Sequence, residues 1–260
     1  MSSPHHSSSM IAGFCDCAAC LSAEAPAASI QERNAFSRRG FLGRAAAGVA
    51  TGLLPVAGLD LASVTPARAQ STMTPDQALQ EMMAGNKRFT EGRLTAFDED
   101  LAILKQKTAE KQEPFAAVLA CADSRVPVEL IFDQSIGHLF VNRVAGNIAT
   151  GEMIASLEYG AAVLGTRTIM VLAHSNCGAV SASIAAKAVP GQISTLYRYI
   201  RPAIDQAGSD VDAVARANAK IQAGILRDAS PLLAELIGKK SLSIVAGFYN
   251  LASGTVELLA

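Results

Sequence analysis

The sequence has no tryptophan, 5% aromatic residues, four histidines and five cysteines among its 260 residues. Cys15, Cys17, Cys20, His5 and His6 all fall within the first twenty positions. Chemistry that needs sulfur or imidazole therefore has only Cys121, Cys177, His138 and His174 to draw on in the rest of the chain. An excess of charge is also missing, with 22 Lys and Arg against 23 Asp and Glu. That balance excludes a nucleic-acid binder that runs on bulk positive charge. With 50% hydrophobic residues the chain is neither disordered nor collagen-like, and its length allows one large domain or two small ones, each able to bury a core.

An uncharged run long enough to cross a bilayer is absent too. The run Ala45 to Leu59 covers fifteen residues, which as a helix spans roughly 22 Å against a hydrocarbon core of ~30 Å. It follows Ser37-Arg38-Arg39-Gly40-Phe41-Leu42-Gly43 and precedes Ala67-Arg68-Ala69. A basic start, a short apolar stretch and a small-x-small site have the layout of a twin-arginine export signal. Residues 1–69 are therefore expected to be an N-terminal region with a cleaved signal peptide. Residues 70–260 are expected to be one periplasmic domain, with no stable membrane insertion once the signal is gone. Cys15, Cys17 and Cys20, with His5 and His6, could suggest a metal site, but they precede the signal and leave with it. The remaining domain carries 17 basic against 19 acidic residues.

Thr74-Pro75-Asp76-Gln77 opens a helix, with Thr as N-cap, Pro in the first turn and Gln closing a capping box. That helix should run to about Phe89. Phe115 to Ala120 and Thr168 to Ala173 are short apolar runs without alternation, the pattern of buried parallel strands. Between them come a third strand, His138 to Asn142, and a helix from Gly151 to Leu164. Three helical stretches follow Cys177, the clearest being Val211 to Arg227 with Val211, Val214, Asn218, Ile221 and Ile225 on one stripe. Within that stripe Asn218 reads as a hydrogen-bonded core or interface residue. Ser241 to Phe248 and Thr255 to Leu259 close the sheet. The fold class is α/β: a mainly parallel β-sheet flanked by helices.

Both remaining cysteines stand where a strand stops, in Cys121-Ala122-Asp123-Ser124-Arg125 and His174-Ser175-Asn176-Cys177-Gly178. Sites in open parallel sheets are built at the carboxyl ends of strands, so adjacent strands would bring the two segments to one crevice. Cys121 and Asp123 share a face in an extended chain, and His174 with Cys177 can wrap one ion. Two thiolates, an imidazole and an oxygen position suit tetrahedral zinc, the oxygen coming from Asp123 or water. A catalytic zinc, a structural zinc closed by Asp123, and a Cys121–Cys177 disulfide remain three readings of the same residues.

These two segments resemble the β-class carbonic anhydrases. The patterns Cys-x-Asp-Ser-Arg and His-x-x-Cys-Gly stand 53 residues apart. They are joined by Gly85-Asn86-Lys87-Arg88-Phe89, Gln112-x-Pro114, Phe140-Val-Asn-Arg143-Val-Ala-Gly146-Asn147, Leu157-Glu158-Tyr159 and Gly247-Phe-Tyr-Asn-Leu-Ala-Ser-Gly254. The resemblance covers about Met82 to the end. Ala122, Ala173 and Ala179 depart from it by small-for-small changes, and Ile136-Gly137-His138 departs in a loop. Val118 stands where relatives regulated by a second bicarbonate site have Trp, which argues against that regulation.

The resemblance implies one zinc per chain held by Cys121, His174 and Cys177, with Asp123 able to take the fourth position. It implies an Asp123–Arg125 dyad as the catalytic pair. Gln112 would donate to a substrate or bicarbonate oxygen, usually across a dimer interface; Phe140, Ala145 and Tyr159 would line an apolar CO2 pocket, and Gly178 would present backbone near the metal. The implied activity is reversible hydration of CO2 to bicarbonate and a proton, through hydroxide generated at zinc, whose water pKa falls from 15.7 to ~7. Release of Asp123 by Arg125 would let the carboxylate reach the metal, a switch inactive at low pH. His138 reads as a loop histidine rather than a proton shuttle. The implied assembly is a homodimer or homotetramer, with no nucleic-acid partner. Hydrolysis of carbonyl sulfide or carbon disulfide on the same scaffold, and non-catalytic zinc or bicarbonate binding, are the competing functions.

Overall fold

A computed structural model describes residues 71–96, 105–106 and 108–260. The expected signal peptide and the Cys15/Cys17/Cys20 group lie outside the described residues. No helix among the described residues is long and apolar enough to cross a membrane.

Helix α1 (Pro75–Thr90) begins with the expected capping box: Thr74 accepts from the Gln77 N–H and the Gln77 side chain accepts from the Thr74 N–H. The elements β1 (Ala116–Ala120), α2 (Val128–Ile131), β2 (Leu139–Arg143), α3 (Gly151–Ala162) and β3 (Thr168–His174) follow. Then come α4 (Gly178–Ala185), a 3₁₀ turn (Ile193–Leu196), α5 (Tyr197–Ala207), α6 (Val211–Ala229), α7 (Pro231–Gly238), β4 (Ser243–Tyr249) and β5 (Val256–Leu259). Four α-helices therefore stand between Cys177 and β4 where three helical stretches were expected. Ser230 caps the N-terminus of α7 and Pro231 occupies its first turn, which splits that helix from α6.

The sheet order is β2-β1-β3-β4-β5, parallel throughout except for the antiparallel β4–β5 pair. Ala117 and Leu119 of β1 face a core with Leu157 of α3, Val180 of α4, Ile200 of α5, Leu226 of α6 and Leu233 of α7. Ala116, Val118 and Ala120 face a second core with Ala78 and Met82 of α1 and Val128 and Ile131 of α2. A strand covered on both faces has no reason to alternate, which explains its apolar run. In α6 the buried face is Val214, Ala215, Ala217, Asn218, Ala219, Gln222, Ala223 and Leu226. Ile221 and Ile225, expected on the inner stripe, are only half-buried. Small residues let α6 lie close on β3 and β4.

The Gly85-Asn86 pair ties α1 to both ends of this second core. A Cβ at Gly85 would stand 1.8 Å from the Phe132 carbonyl oxygen, so no other residue fits there without moving backbone. Asn86 Nδ2 donates to the Ile131 and Gly254 carbonyls, and its Oδ1 accepts from the Val256 N–H.

Candidate metal centre

β1 and β3 are neighbours in register, with Ala120 opposite Leu172. The chain therefore delivers Cys121, immediately after β1, and His174, the last residue of β3, to the same edge of the sheet. Cys177 follows one short turn later as the N-cap of α4, reached through Asn176 at φ +53°. All three are buried, and their ligand atoms lie within 4.8 Å of one another. The sulfurs stand 3.9 Å apart and both cysteines are free. That is far beyond the ~2.05 Å of a disulfide, and close to the ~3.8 Å between two sulfurs each ~2.3 Å from a tetrahedral centre. His174 Nδ1 lies 2.9 Å from the Ser175 carbonyl oxygen, which accepts its proton. This leaves Nε2 as the lone-pair nitrogen, buried and without a hydrogen-bond partner among the described residues. Two sulfurs and an orphaned imidazole nitrogen around one point are a donor set that fits zinc.

The two thiols are electrostatically unequal. Hydrogen bonding, first from Cys177 and then from the N–H groups of Gly146 and Asp123, holds the Cys121 thiol well below its ordinary value against the cost of burial. Cys177, beside that thiolate and buried, is pushed up. A divalent cation reverses the second shift, since thiols bind metal as thiolates and release their protons. The Gly146 N–H reaches Cys121 Sγ at 3.3 Å.

Asp123 stands at the open side. Arg125 grips it in bidentate fashion, Nε to Oδ1 at 2.9 Å and Nη2 to Oδ2 at 2.8 Å, while the Arg125 N–H donates to Oδ1 at 2.9 Å. The guanidinium holds the Asp123 carboxyl well below the usual carboxylate range. Its Oδ2 is 3.8 Å from His174 Nε2.

The family model described as carbonic anhydrase matches residues 116–256. Carbonic anhydrase 2 of Mycobacterium tuberculosis is 33% identical over 192 residues, covering 71% of this chain and 92% of its own length. The chain belongs to the β-class carbonic anhydrases. Carbonic anhydrase of Pseudomonas aeruginosa is 32% identical over 172 residues, covering 60% of this chain and 78% of that protein. The solved structure of the Coccomyxa β-carbonic anhydrase in complex with acetazolamide superposes with a TM-score of 0.55 at 25% identity, covering 70% of this chain and 86% of that one. Zinc is the cofactor of the family, and Cys121, His174 and Cys177 are the residues here that fit it.

Of the other residues that the carbonic anhydrase resemblance assigns to the site, Gly178 opens α4 directly after Cys177, and Ala145 sits half-buried beside Gly146. Gln112, Phe140 and Tyr159 form a separate group. Gln112 is exposed and lines a cleft of about 470 Å³ with Tyr159 and Leu164. Tyr159 is 47% exposed, and its ring centroid lies 6.1 Å from that of Phe140. His138 precedes β2 at the amino end of the sheet, opposite the metal edge. With β1 five residues long, roughly 16 Å of strand separates the two ends, so His138 is no shuttle within this chain.

Sequence reasoning passed over two groups. Arg143, quoted only as part of a motif, donates from Nε to the Cys121 carbonyl at 3.0 Å and from Nη2 to the Asp123 carbonyl. It thus fixes the backbone on which ligand and dyad both hang. Asp212 of α6 accepts from the Asn176 N–H at 2.9 Å and holds the turn between His174 and Cys177. Arg143 ends β2 beside β1, which a strand-end reading could have flagged; Asp212 had no local signal.

Proposed function

We propose that this chain catalyses the reversible hydration of carbon dioxide to bicarbonate and a proton. The observation that carries the reading is the orphaned His174 Nε2 facing two sulfurs not joined in a disulfide, with a carboxylate 3.8 Å away. Zinc, when bound, supplies the Lewis acidity that makes water a nucleophile at neutral pH. Asp123 acts as an acceptor that stays ionised: with Arg125 on both oxygens, Oδ2 takes a hydrogen bond from the attacking water and turns its lone pair toward CO2. Arg143 and Arg125 together fix where that carboxylate stands, so little reorganisation is left for the reaction itself. The test is stopped-flow CO2 hydration on metal-analysed protein. Fast turnover with about one zinc per chain is expected; zinc-loaded protein without turnover would refute the assignment.

Gln112, Phe140 and Tyr159 are the substrate side of the site, with Ala145 and Gly178 lining the metal side. We place them across a homodimer interface. The support is that Gln112 and Tyr159 are exposed in one chain, although an apolar substrate needs a site shielded from water. Sedimentation should give at least a dimer, and a fully active monomer would overturn the shared site.

Localisation is read from Arg38-Arg39, the apolar run after Arg44 and Ala67-Arg68-Ala69. The chain is exported by the twin-arginine route to the periplasm, folding and loading zinc before it crosses. Changing Arg38 and Arg39 to Lys should retain it in the cytoplasm with its signal attached. Mature protein should begin at Gln70, and export unaffected by the double change would exclude the route.

A further inference from the structure

Two amide side chains on α6, a helix that contributes no metal ligand, hold the loop that donates to one. Asn218 and Gln222 stand one helical turn apart and both are fully buried. Asn218 Nδ2 donates to the Gly146 carbonyl at 2.9 Å, and Gln222 Oε1 accepts from the Ala149 N–H at 2.9 Å. Gln222 Nε2 donates both to Asn218 Oδ1 and to the Tyr199 carbonyl of α5, each at 3.1 Å. Every polar end of the two side chains is therefore used, which is the condition for burying them without a large desolvation cost.

Their targets bracket the turn Gly146–Ala149, and the first N–H of that turn is the one that reaches Cys121 Sγ. Gly146 has φ +79°, and a Cβ there would stand 2.8 Å from Ile200 Cδ1. The turn is thus pinned by α5 on one side and by the two amides on the other.

We propose that Asn218 and Gln222 are positioning residues: they aim the Gly146 N–H at the Cys121 sulfur and so set how much electron density that thiolate gives to the metal. The inference rests on the zinc reading of the site. An N–H···S bond weakens a thiolate as a donor and leaves the cation more electrophilic, so the two buried amides tune Lewis acidity without touching the metal.

The test replaces zinc with cobalt and reads the sulfur-to-cobalt charge-transfer band, together with metal affinity by chelator competition. Asn218→Leu and Gln222→Met should shift the band to lower energy as the thiolate becomes the stronger donor, while disorder of the turn that orients Cys121 outweighs that gain and weakens metal binding by about 10-fold. The milder Asn218→Ser carries the test where the apolar variants fail to fold, with a smaller shift in the same direction. Leu226→Ala, a buried change on the same helix with no bond to the turn, should lower Tm and leave the band in place. Bands unmoved in every amide variant, or moved equally by Leu226→Ala, would overturn the proposal while leaving the zinc site standing. Absence of the band in the unmodified protein would instead remove the zinc reading and this inference with it.

Discussion

The corner built by Cys121, His174 and Cys177 is buried and closed by its own chain, whereas the corner built by Gln112, Phe140 and Tyr159 lies open. The first is held by two adjacent strand ends, a helix N-terminus and backbone clamps from Arg143 and Asp212. The second rests on one exposed loop residue and a tilted ring pair. With the substrate role proposed above for the second, the difference matches the task of each corner. Metal ligands must meet within tenths of an ångström, and only close packing holds side chains that well. Contacts to a small apolar substrate tolerate more slack and can be supplied by another surface.

The sharpest way to break this comparison is to open the closed corner. His174→Ala should reduce zinc from about one per chain to near zero and take CO2 hydration to background, read by metal analysis and stopped flow. A variant keeping its zinc and a tenth of its activity would show that the three residues are not the ligand set. Arg125→Ala is expected to be the next largest effect, lowering activity about 10- to 100-fold, as for other residues that orient metal-bound groups. Asp123, no longer gripped at both oxygens, is then free to turn toward the metal. Unchanged activity with unchanged metal coordination would sink the role of the dyad.

The open corner is tested by Gln112→Ala, which should lower kcat/KM about 10-fold, the scale of one lost charge-stabilising hydrogen bond, at unchanged zinc content. Mixing sharpens the point. A hybrid of Gln112→Ala chains with His174→Ala chains has one site in which the intact zinc corner of one chain meets the intact Gln112 of the other. Refolded mixtures should regain up to about half the activity of the unmodified protein on a per-hybrid basis, by the counting of an isologous dimer. No regain in the mixture would place Gln112 and the metal in the same chain.

The two corners were also unequally legible. Cys121, Asp123, His174 and Cys177 could be assigned because β1 and β3 are apolar without alternation, and such strands carry the residues after them to one edge of the sheet. In helix α6 the expected stripe holds at Val214 and at the hydrogen-bonded Asn218 and fails further along. Its stripe was drawn through Ile221 and Ile225, but the face against the sheet is mostly alanine, with Gln222 fully buried. Hydrophobic periodicity weights large side chains, and a helix lying close on a sheet selects small ones. A buried glutamine is visible only once its partners, the Ala149 N–H and the Tyr199 carbonyl, are in place. The break at Ser230-Pro231 did carry a signal, an N-cap followed by Pro. The relation of Gln112 to the metal was not legible, because the segment Gln112–Pro114 says nothing about which copy it serves.

The smallest expected effect on activity comes from Asp133, a residue of neither corner, and it asks whether the closed corner is rigid by local bonding or through the stability of the whole fold. Asp133 is buried between α2 and β2, where Arg88 of α1 donates to it, as do the Thr95 hydroxyl and the N–H groups of Thr95 and Ala96. Burial alone would raise its carboxyl, but Arg88 and those donors outweigh it and hold the group below its ordinary 3.8. A depressed folded-state value means that the contribution to stability is complete above the unfolded value of about 3.9, and is lost as pH falls through the folded one. Arg88→Ala leaves the carboxylate with its neutral donors only, so the folded value rises and the acid limb of the stability profile moves to higher pH. At neutral pH the fold should lose about 2 to 3 kcal/mol, the scale for losing a hydrogen bond between charged groups. Zinc per folded chain and CO2 hydration at 25 °C should stay within about twofold of the unmodified protein, because Arg143, Asp212 and the strand ends are untouched. Denaturant unfolding across the acid range reads the first effect and stopped flow the second. A loss of zinc parallel to the loss of stability would mean that the metal corner has no rigidity of its own.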